Sequence, residues 1–137
     1  MATTTATLTL SSADLTGDAL ALNTTATLTK AGTATGLDQT TGVGRKTTTA
    51  TSDVTLFSAS AYTDDKGHKV YLKNTSTVAT EYVTVKLGDL ELGRLYAGDW
   101  AFFPWNADTT STPDADIIYT PSVSTALTVE YALIFEA

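Results

Sequence analysis

From residue 42 onward, apolar and polar residues alternate along the sequence in a pattern typical of β-strands. The clearest stretch is 127–135, where every odd position carries a large apolar side chain. A period of two indicates a half-buried strand, because successive side chains point to opposite faces. Six other segments fit this interpretation, and turn-rich residues separate most of them: 44–49, 53–58, 68–73, 82–95, 100–105 and 116–120. The sequence therefore predicts an all-β fold, an antiparallel β-sandwich or jelly roll formed by residues 42–137.

Segment 82–95 contains a specific turn signal. Residues 82–87 and 90–95 flank the dipeptide Gly88-Asp89. A two-residue loop with glycine first favours a type II′ turn, because its first position needs a positive φ. We therefore expect a tight hairpin here.

Residues 1–41 differ from the rest of the chain. All twelve aromatic residues lie at or beyond Phe57, whereas the N-terminal part holds leucines and many threonines. Segments 4–9 and 24–29 both read TTATLT, which indicates either low complexity or two similar strands. Leucines two positions apart share one face of an extended chain. We predict an extended, ordered N-terminal arm over 1–41 that places its leucines on the body at 42–137 or on a neighbouring subunit.

Composition narrows the possible chemistry. The 137 residues carry a net charge of −7, no cysteine and a single histidine, which argues against disulfides, thiolate metal sites and imidazole clusters. Residues 95–137 contain no lysine or arginine, so the C-terminal third is purely acidic. A negative surface repels phosphate backbones and anionic lipid, and we expect neither nucleic acid nor membrane as a partner. The N-terminus lacks a signal-peptide pattern, so we expect a soluble protein that is made without a signal peptide and in the cytoplasm.

Two positions could carry chemistry, and the sequence favours a structural role for both. His68 could act as a general base oriented by Asp64 or Asp65, but we expect it at a solvent-facing strand start. The loop with Asp108, Asp114 and Asp116 offers oxygen ligands for a hard cation such as calcium, yet it lacks the EF-hand pattern and is better explained as a surface turn. We predict no enzymatic activity, no cofactor and no metal.

The segment 100–105 (WAFFPW) is apolar on both faces. Alternation places Trp100, Phe102 and Pro104 on one face and Ala101, Phe103 and Trp105 on the other. One face can join the core, and the second face then needs a cover. A partner surface or the N-terminal arm of the same chain could supply that cover, and aromatic residues on an exposed strand could also stack on sugar rings.

Three segments resemble small structural proteins of tailed bacteriophage particles: residues 69–77 (KVYLKNTST), 93–105 (GRLYAGDWAFFPW) and 128–131 (TVEY). The resemblance implies a virion protein on the outer capsid surface, a decoration or cement protein that binds the major capsid protein and copies of itself. It implies a β-sandwich that forms homo-oligomers and bridges neighbouring capsomers. A tail, neck or fibre-base component and a carbohydrate-binding module are the alternatives.

The decoration hypothesis predicts which residues form contacts. The arm would contribute leucines and the body would contribute aromatic residues, and the predicted interface consists of Leu8, Leu10, Leu20, Leu22, Leu28, Trp100, Phe103 and Trp105.

Overall fold

The computed structural model describes residues 3–15 and 17–137. Its regular structure is almost entirely extended, with one short 3₁₀ helix at Ala59–Ala61. The strands are β1 (Thr5–Ser12), β2 (Leu20–Thr27), β3 (Gln39–Thr40), β4 (Gly44–Thr48), β5 (Val54–Phe57), β6 (His68–Asn74), β7 (Tyr82–Leu87), β8 (Leu90–Tyr96), β9 (Trp100–Trp105), β10 (Ile117–Pro121) and β11 (Leu127–Phe135). The predicted all-β class is confirmed.

Strands β4 to β11 form a jelly roll. The pairs are β4 with β11, β5 with β10, β6 with β9 and β7 with β8, and all four are antiparallel. These pairs alternate between two sheets. Sheet I has the order β4-β11-β6-β9, with the short β3 also on β11, and sheet II has the order β5-β10-β7-β8. This wrapping of four strand pairs into two packed sheets is the jelly-roll arrangement.

The core lies between the sheets and follows the period of two. In β6, His68, Val70, Leu72 and Asn74 point inward and are buried, and the residues between them point outward. Leu133 of β11 and Ile117 and Tyr119 of β10 close the same core and are fully buried. Burial of such apolar side chains is the main driving force for sheet packing.

The turn between β7 and β8 has the expected backbone. Gly88 has a φ of +56°, and Asp65 is the only described non-glycine residue with positive φ, so Asp89 has the negative φ of a type II′ turn. A Cβ on Gly88 would also lie 2.9 Å from the carbonyl oxygen of Asp114. Glycine is therefore required here by both conformation and space.

Strands β1 and β2 form a separate two-stranded hairpin. They pair antiparallel over eight residues each, from Thr5 opposite Thr27 to Ser12 opposite Leu20. The two TTATLT copies fall largely on these two strands. The segment predicted to be an extended arm thus doubles back on itself in the structure.

Candidate interaction surface

The outer face of sheet I carries an exposed row of apolar residues on its edge strand β9. Trp100, Phe102 and Pro104 point away from the core, and we call them the aromatic strip. Trp100 is 53 % exposed and Phe102 is 37 % exposed, whereas Ala132, on the same outer face in β11, is only 8 % exposed. The centre of this face is covered and its edge is open. Exposed aromatic residues in a contiguous row are characteristic of binding surfaces.

Two lysines border the aromatic strip. Lys73 lies opposite Trp100 and Lys69 lies opposite Pro104 in the β6–β9 register. Neither lysine forms an ion pair with any residue that the structure describes. The carboxylate of Glu130, which lies opposite Lys73 in β11, accepts hydrogen bonds from Arg45 and from the Tyr71 hydroxyl. These bonds lower the pKa of Glu130, and the charges of Arg45 and Lys73 lower it further. The lysines are therefore positive charges beside an apolar row in an acidic protein.

The outer face of sheet II contrasts with this arrangement. There Lys86 Nζ lies 2.9 Å from Asp53 Oδ1, and the Arg94 guanidinium lies 4.5 Å above the Tyr82 ring. The cations on this face thus have partners within the chain.

The N-terminal hairpin has one polar and one apolar face. Thr7 and Thr25 lie opposite each other on the polar face, and their hydroxyls are 2.8 Å apart. On the other face Leu10 lies opposite Leu22, and Leu8 lies opposite Thr24. Leucines near the turn are exposed to solvent, and we call them the leucine patch: Leu10, Leu15, Leu20 and Leu22.

The base of the hairpin lies over the outer face of sheet I. A groove of about 750 Å³ separates the apolar hairpin face, at Ala6, Leu8 and Ala26, from Tyr71 and the aromatic strip. The leucine patch does not line this groove, because it lies farther along the hairpin toward the turn. The hairpin thus covers part of the sheet face and leaves its own distal half without cover.

Glu136 fixes the segment that follows the hairpin. Its Oε2 accepts hydrogen bonds from the backbone N–H groups of Ala31, at 2.9 Å, and Gly67, at 3.2 Å, and its Oε1 lies 3.3 Å from Lys66 Nζ. The two backbone donors are the main reason that the pKa of Glu136 is lowered. Leu37 is fully buried in the same region, so the hairpin emerges from a fixed base.

Some residues of the predicted interface are exposed in the structure, and others are buried. Leu10, Leu20, Leu22 and Trp100 are exposed, and Leu8 is half-buried on the groove. Trp105 is 5 % exposed within the core, and its Nε1 donates to the carbonyl of Ala115 at 2.7 Å. Leu28 is also buried, at 4 % exposure, and Phe103 packs partly against the core. Trp105 therefore does not present the surface that the sequence predicted, because its side chain points into the core, and Leu28 makes its contacts within its own chain.

Sequence reasoning missed Phe102 and the two lysines as members of this surface. The signal was present, because Phe102 shares a face with Trp100, and Lys69 shares a face with Lys73. The sequence did not reveal that β6 and β9 are neighbours, which places the lysines beside the aromatic side chains.

His68 is buried, which contradicts the expected solvent-facing position. Its ring stacks on Phe135 with centroids 6.2 Å apart and meets Trp105 edge-on at 5.4 Å. Its Nδ1 lies 3.0 Å from the carbonyl oxygen of Lys66 and so donates to it. His68 thus belongs to an aromatic cluster in the core.

Asp108 and Asp116 accept hydrogen bonds from nearby backbone groups. Asp108 Oδ1 accepts from both the backbone N–H and the hydroxyl of Thr110 at 2.6 Å, which lowers the pKa of Asp108. Asp116 Oδ1 accepts from the N–H of Ala59 at 2.7 Å. Among the described residues, no group of three histidine or acidic side chains is placed to hold a metal ion.

A second groove, of about 700 Å³, lies between the free edges of the two sheets. Leu92 and Leu95 of β8 and Phe103 of β9 line it, and Asp108 lies at its rim. The edge of the sandwich formed by β8 and β9 is thus an apolar surface region.

Comparison with protein-family models, curated proteins and solved structures gives no significant match to the chain. Across residues 3–15 and 17–137, no helix has the length and apolar character needed to cross a bilayer.

Proposed function

We propose that this chain is a structural protein of a tailed-bacteriophage particle, and that it acts as a decoration protein on the outer capsid surface. The observation that carries the proposal is the exposed leucine patch on a hairpin that extends from a jelly-roll body. Two paired strands are marginal in water, and an exposed apolar face on them is typical of a segment that binds a partner.

Two further observations support this function. Jelly rolls recur in viral capsid proteins. The resemblance of residues 69–77, 93–105 and 128–131 to phage structural proteins spans β6, β9 and part of β11, which together form most of sheet I, the sheet that carries the aromatic strip.

Such a protein would stabilise the shell by mass action. A protein that binds only the assembled lattice lowers the free energy of that lattice, and many weak contacts on one closed shell add up. The negative charge of the body, −7 for the whole chain, would keep neighbouring particles apart in solution.

Quantitative mass spectrometry of purified particles tests the proposal. Hundreds of copies of the chain per particle would support a shell position, whereas a few dozen or fewer would indicate a tail or neck component. Absence of the chain from purified particles would contradict a virion role altogether.

A carbohydrate-binding module is the second candidate, and the exposed pair Trp100 and Phe102 favours it. Aromatic rings two positions apart on a sheet face can stack on sugar rings, and jelly rolls also occur in lectins. Glycan-array binding that is lost in Trp100→Ala and kept in Leu90→Ala would favour this candidate over the decoration function.

A further inference from the structure

The leucine patch and the aromatic strip are both uncovered, and the hairpin cannot bring them together within one chain. The hairpin base already lies over the sheet at Ala6 and Leu8. Leu10 and Leu22 lie farther out along the same strands, and four residues of strand span about 13 Å. Because Leu28 is buried and Glu136 fixes the next segment, the base cannot slide to carry the leucines back over the strip.

The charges around the two surfaces are complementary. The connection between β1 and β2 carries Asp14 and Asp18 and has no basic residue. The aromatic strip is bordered by Lys69 and Lys73, which have no ion-pair partner among the described residues. Opposite charges at the rims of two apolar surfaces favour one relative orientation and speed up encounter.

We propose that the leucine patch of one copy docks on the aromatic strip of a second copy, so that copies associate head to tail. The leucines would enter the open side of the groove beside Trp100 and Phe102, and the hairpin turn would lie near the lysines. A contact between two different surfaces closes as a two-fold dimer when two copies exchange their hairpins, and it generates rings or open chains when each copy binds two neighbours, which is the head-to-tail arrangement. The biological setting of this contact rests on the proposed function, since it would link neighbouring decoration subunits.

Two substitutions test the two surfaces separately by sedimentation equilibrium of the full chain. Leu22→Asp places a charge in the leucine patch, and Trp100→Ser removes the largest side chain of the aromatic strip. Each should weaken self-association at least about tenfold, since a buried charge or a lost aromatic contact costs more than 1.4 kcal/mol. The matched controls are Ala21→Asp, which adds the same charge to the polar hairpin face, and Leu90→Ser, which removes an exposed leucine elsewhere. Both should associate like the unmodified chain.

A mixture of the two variants provides the decisive measurement. Leu22→Asp keeps an intact aromatic strip and Trp100→Ser keeps an intact leucine patch, so the mixture should form heterodimers and nothing larger. If Leu22→Asp disturbs the hairpin itself, Lys69→Glu combined with Lys73→Glu tests the same contact with every hairpin residue unchanged, and it should also weaken association about tenfold.

Three results would overturn the docking. The first is that the unmodified chain stays monomeric up to about 1 mM. The second is that Leu22→Asp and Ala21→Asp associate equally and that the two lysine substitutions have no effect. The third is that the mixture of Leu22→Asp and Trp100→Ser contains no heterodimers. A monomeric chain found in hundreds of copies per particle would overturn only the docking. A self-associating chain absent from particles would overturn only the proposed function.

Discussion

Asn74 links the two sheets through a fully satisfied side chain. It is completely buried at the end of β6, and its Nδ2 donates to the carbonyls of Leu95, at 3.1 Å, and Glu81, at 3.3 Å. Its Oδ1 accepts from the N–H of Ser76 at 3.0 Å. Since Leu95 belongs to β8, this amide connects sheet I to sheet II where the chain passes between them.

Asn74→Leu should therefore destabilise the body strongly. The substitution keeps a similar volume but leaves two carbonyls and one N–H without their partner, and each such loss costs about 1 kcal/mol or more. We expect the free energy of unfolding to fall by roughly 2–4 kcal/mol, measured by chemical denaturation. A change below about 0.5 kcal/mol would show that water replaces the amide in the variant.

Tyr119 presents the opposite case. Its hydroxyl is buried without a hydrogen-bond partner among the described residues, and burial raises its pKa. Tyr119→Phe removes this unsatisfied group, so the free energy of unfolding should stay the same or rise by up to about 1 kcal/mol. Tyr71→Phe is the control, because the Tyr71 hydroxyl donates to Glu130 at 3.1 Å. In this variant the free energy of unfolding should fall by about 0.5–1.5 kcal/mol. A clear loss of stability in Tyr119→Phe would contradict the assignment.

The sequence determines which residues share a face more reliably than which face is buried. The predicted division of segment 100–105 into two faces is confirmed, and the set with Ala101, Phe103 and Trp105 is the one that faces the core. For His68 the wrong expectation came from its position next to a polar turn. Its spacing from Val70 and Leu72 already placed it on the buried face, and that signal was the physically stronger one.

At the scale of elements, Glu136 makes the segment that follows the hairpin sensitive to pH. Its folded pKa lies below the ordinary value of 4.5, so its contribution to stability is present above that value and is lost as the pH falls through the folded pKa. Glu136→Gln should lower the free energy of unfolding at pH 7, and this difference from the unmodified chain should disappear once the pH is below the folded pKa of Glu136. Hydrogen exchange at the amides of Ala31 and Gly67 should become faster in the variant at pH 7.

Glu91→Gln is the matched control, because Glu91 lies on the exposed edge strand β8 and accepts no backbone hydrogen bond from the described residues. Equal effects of the two substitutions at every pH would contradict a specific role for Glu136.

Most body strands could be predicted from the sequence, and their pairing could not. The predicted segments 82–87 and 100–105 match β7 and β9 in both bounds, because alternation and turn residues are local signals. Pairing is set by contacts between distant residues, such as Glu130 opposite Arg45, and a single sequence does not contain them. For the same reason the predicted interface lacked Lys69 and Lys73.

At the scale of the molecule, the jelly roll should fold without the hairpin but not without the segment that follows it, which contains the buried Leu28 and Leu37. Deletion of residues 2–27 removes mainly exposed side chains, so the free energy of unfolding should change by less than about 1 kcal/mol. Leu37→Ala empties a fully buried position and should cost about 2–4 kcal/mol. Thermal and chemical denaturation of both variants measures this contrast, and a large loss on deletion would show that the hairpin belongs to the core structure.

The position of β11 sets the order in which these surfaces can form during synthesis. This strand lies between β4 and β6 in sheet I, yet it follows both in the chain, so the sheet cannot close until the ribosome has released residues 127–135. The carboxylate that holds Ala31 comes 105 residues after it. The hairpin is translated before the body strands, but its orientation is fixed only after they have formed. The nascent chain therefore presents neither an oriented leucine patch nor a completed aromatic strip until the body has folded. The proposed contact between copies would thus be delayed until the body of each copy has folded, which limits premature contacts between growing chains.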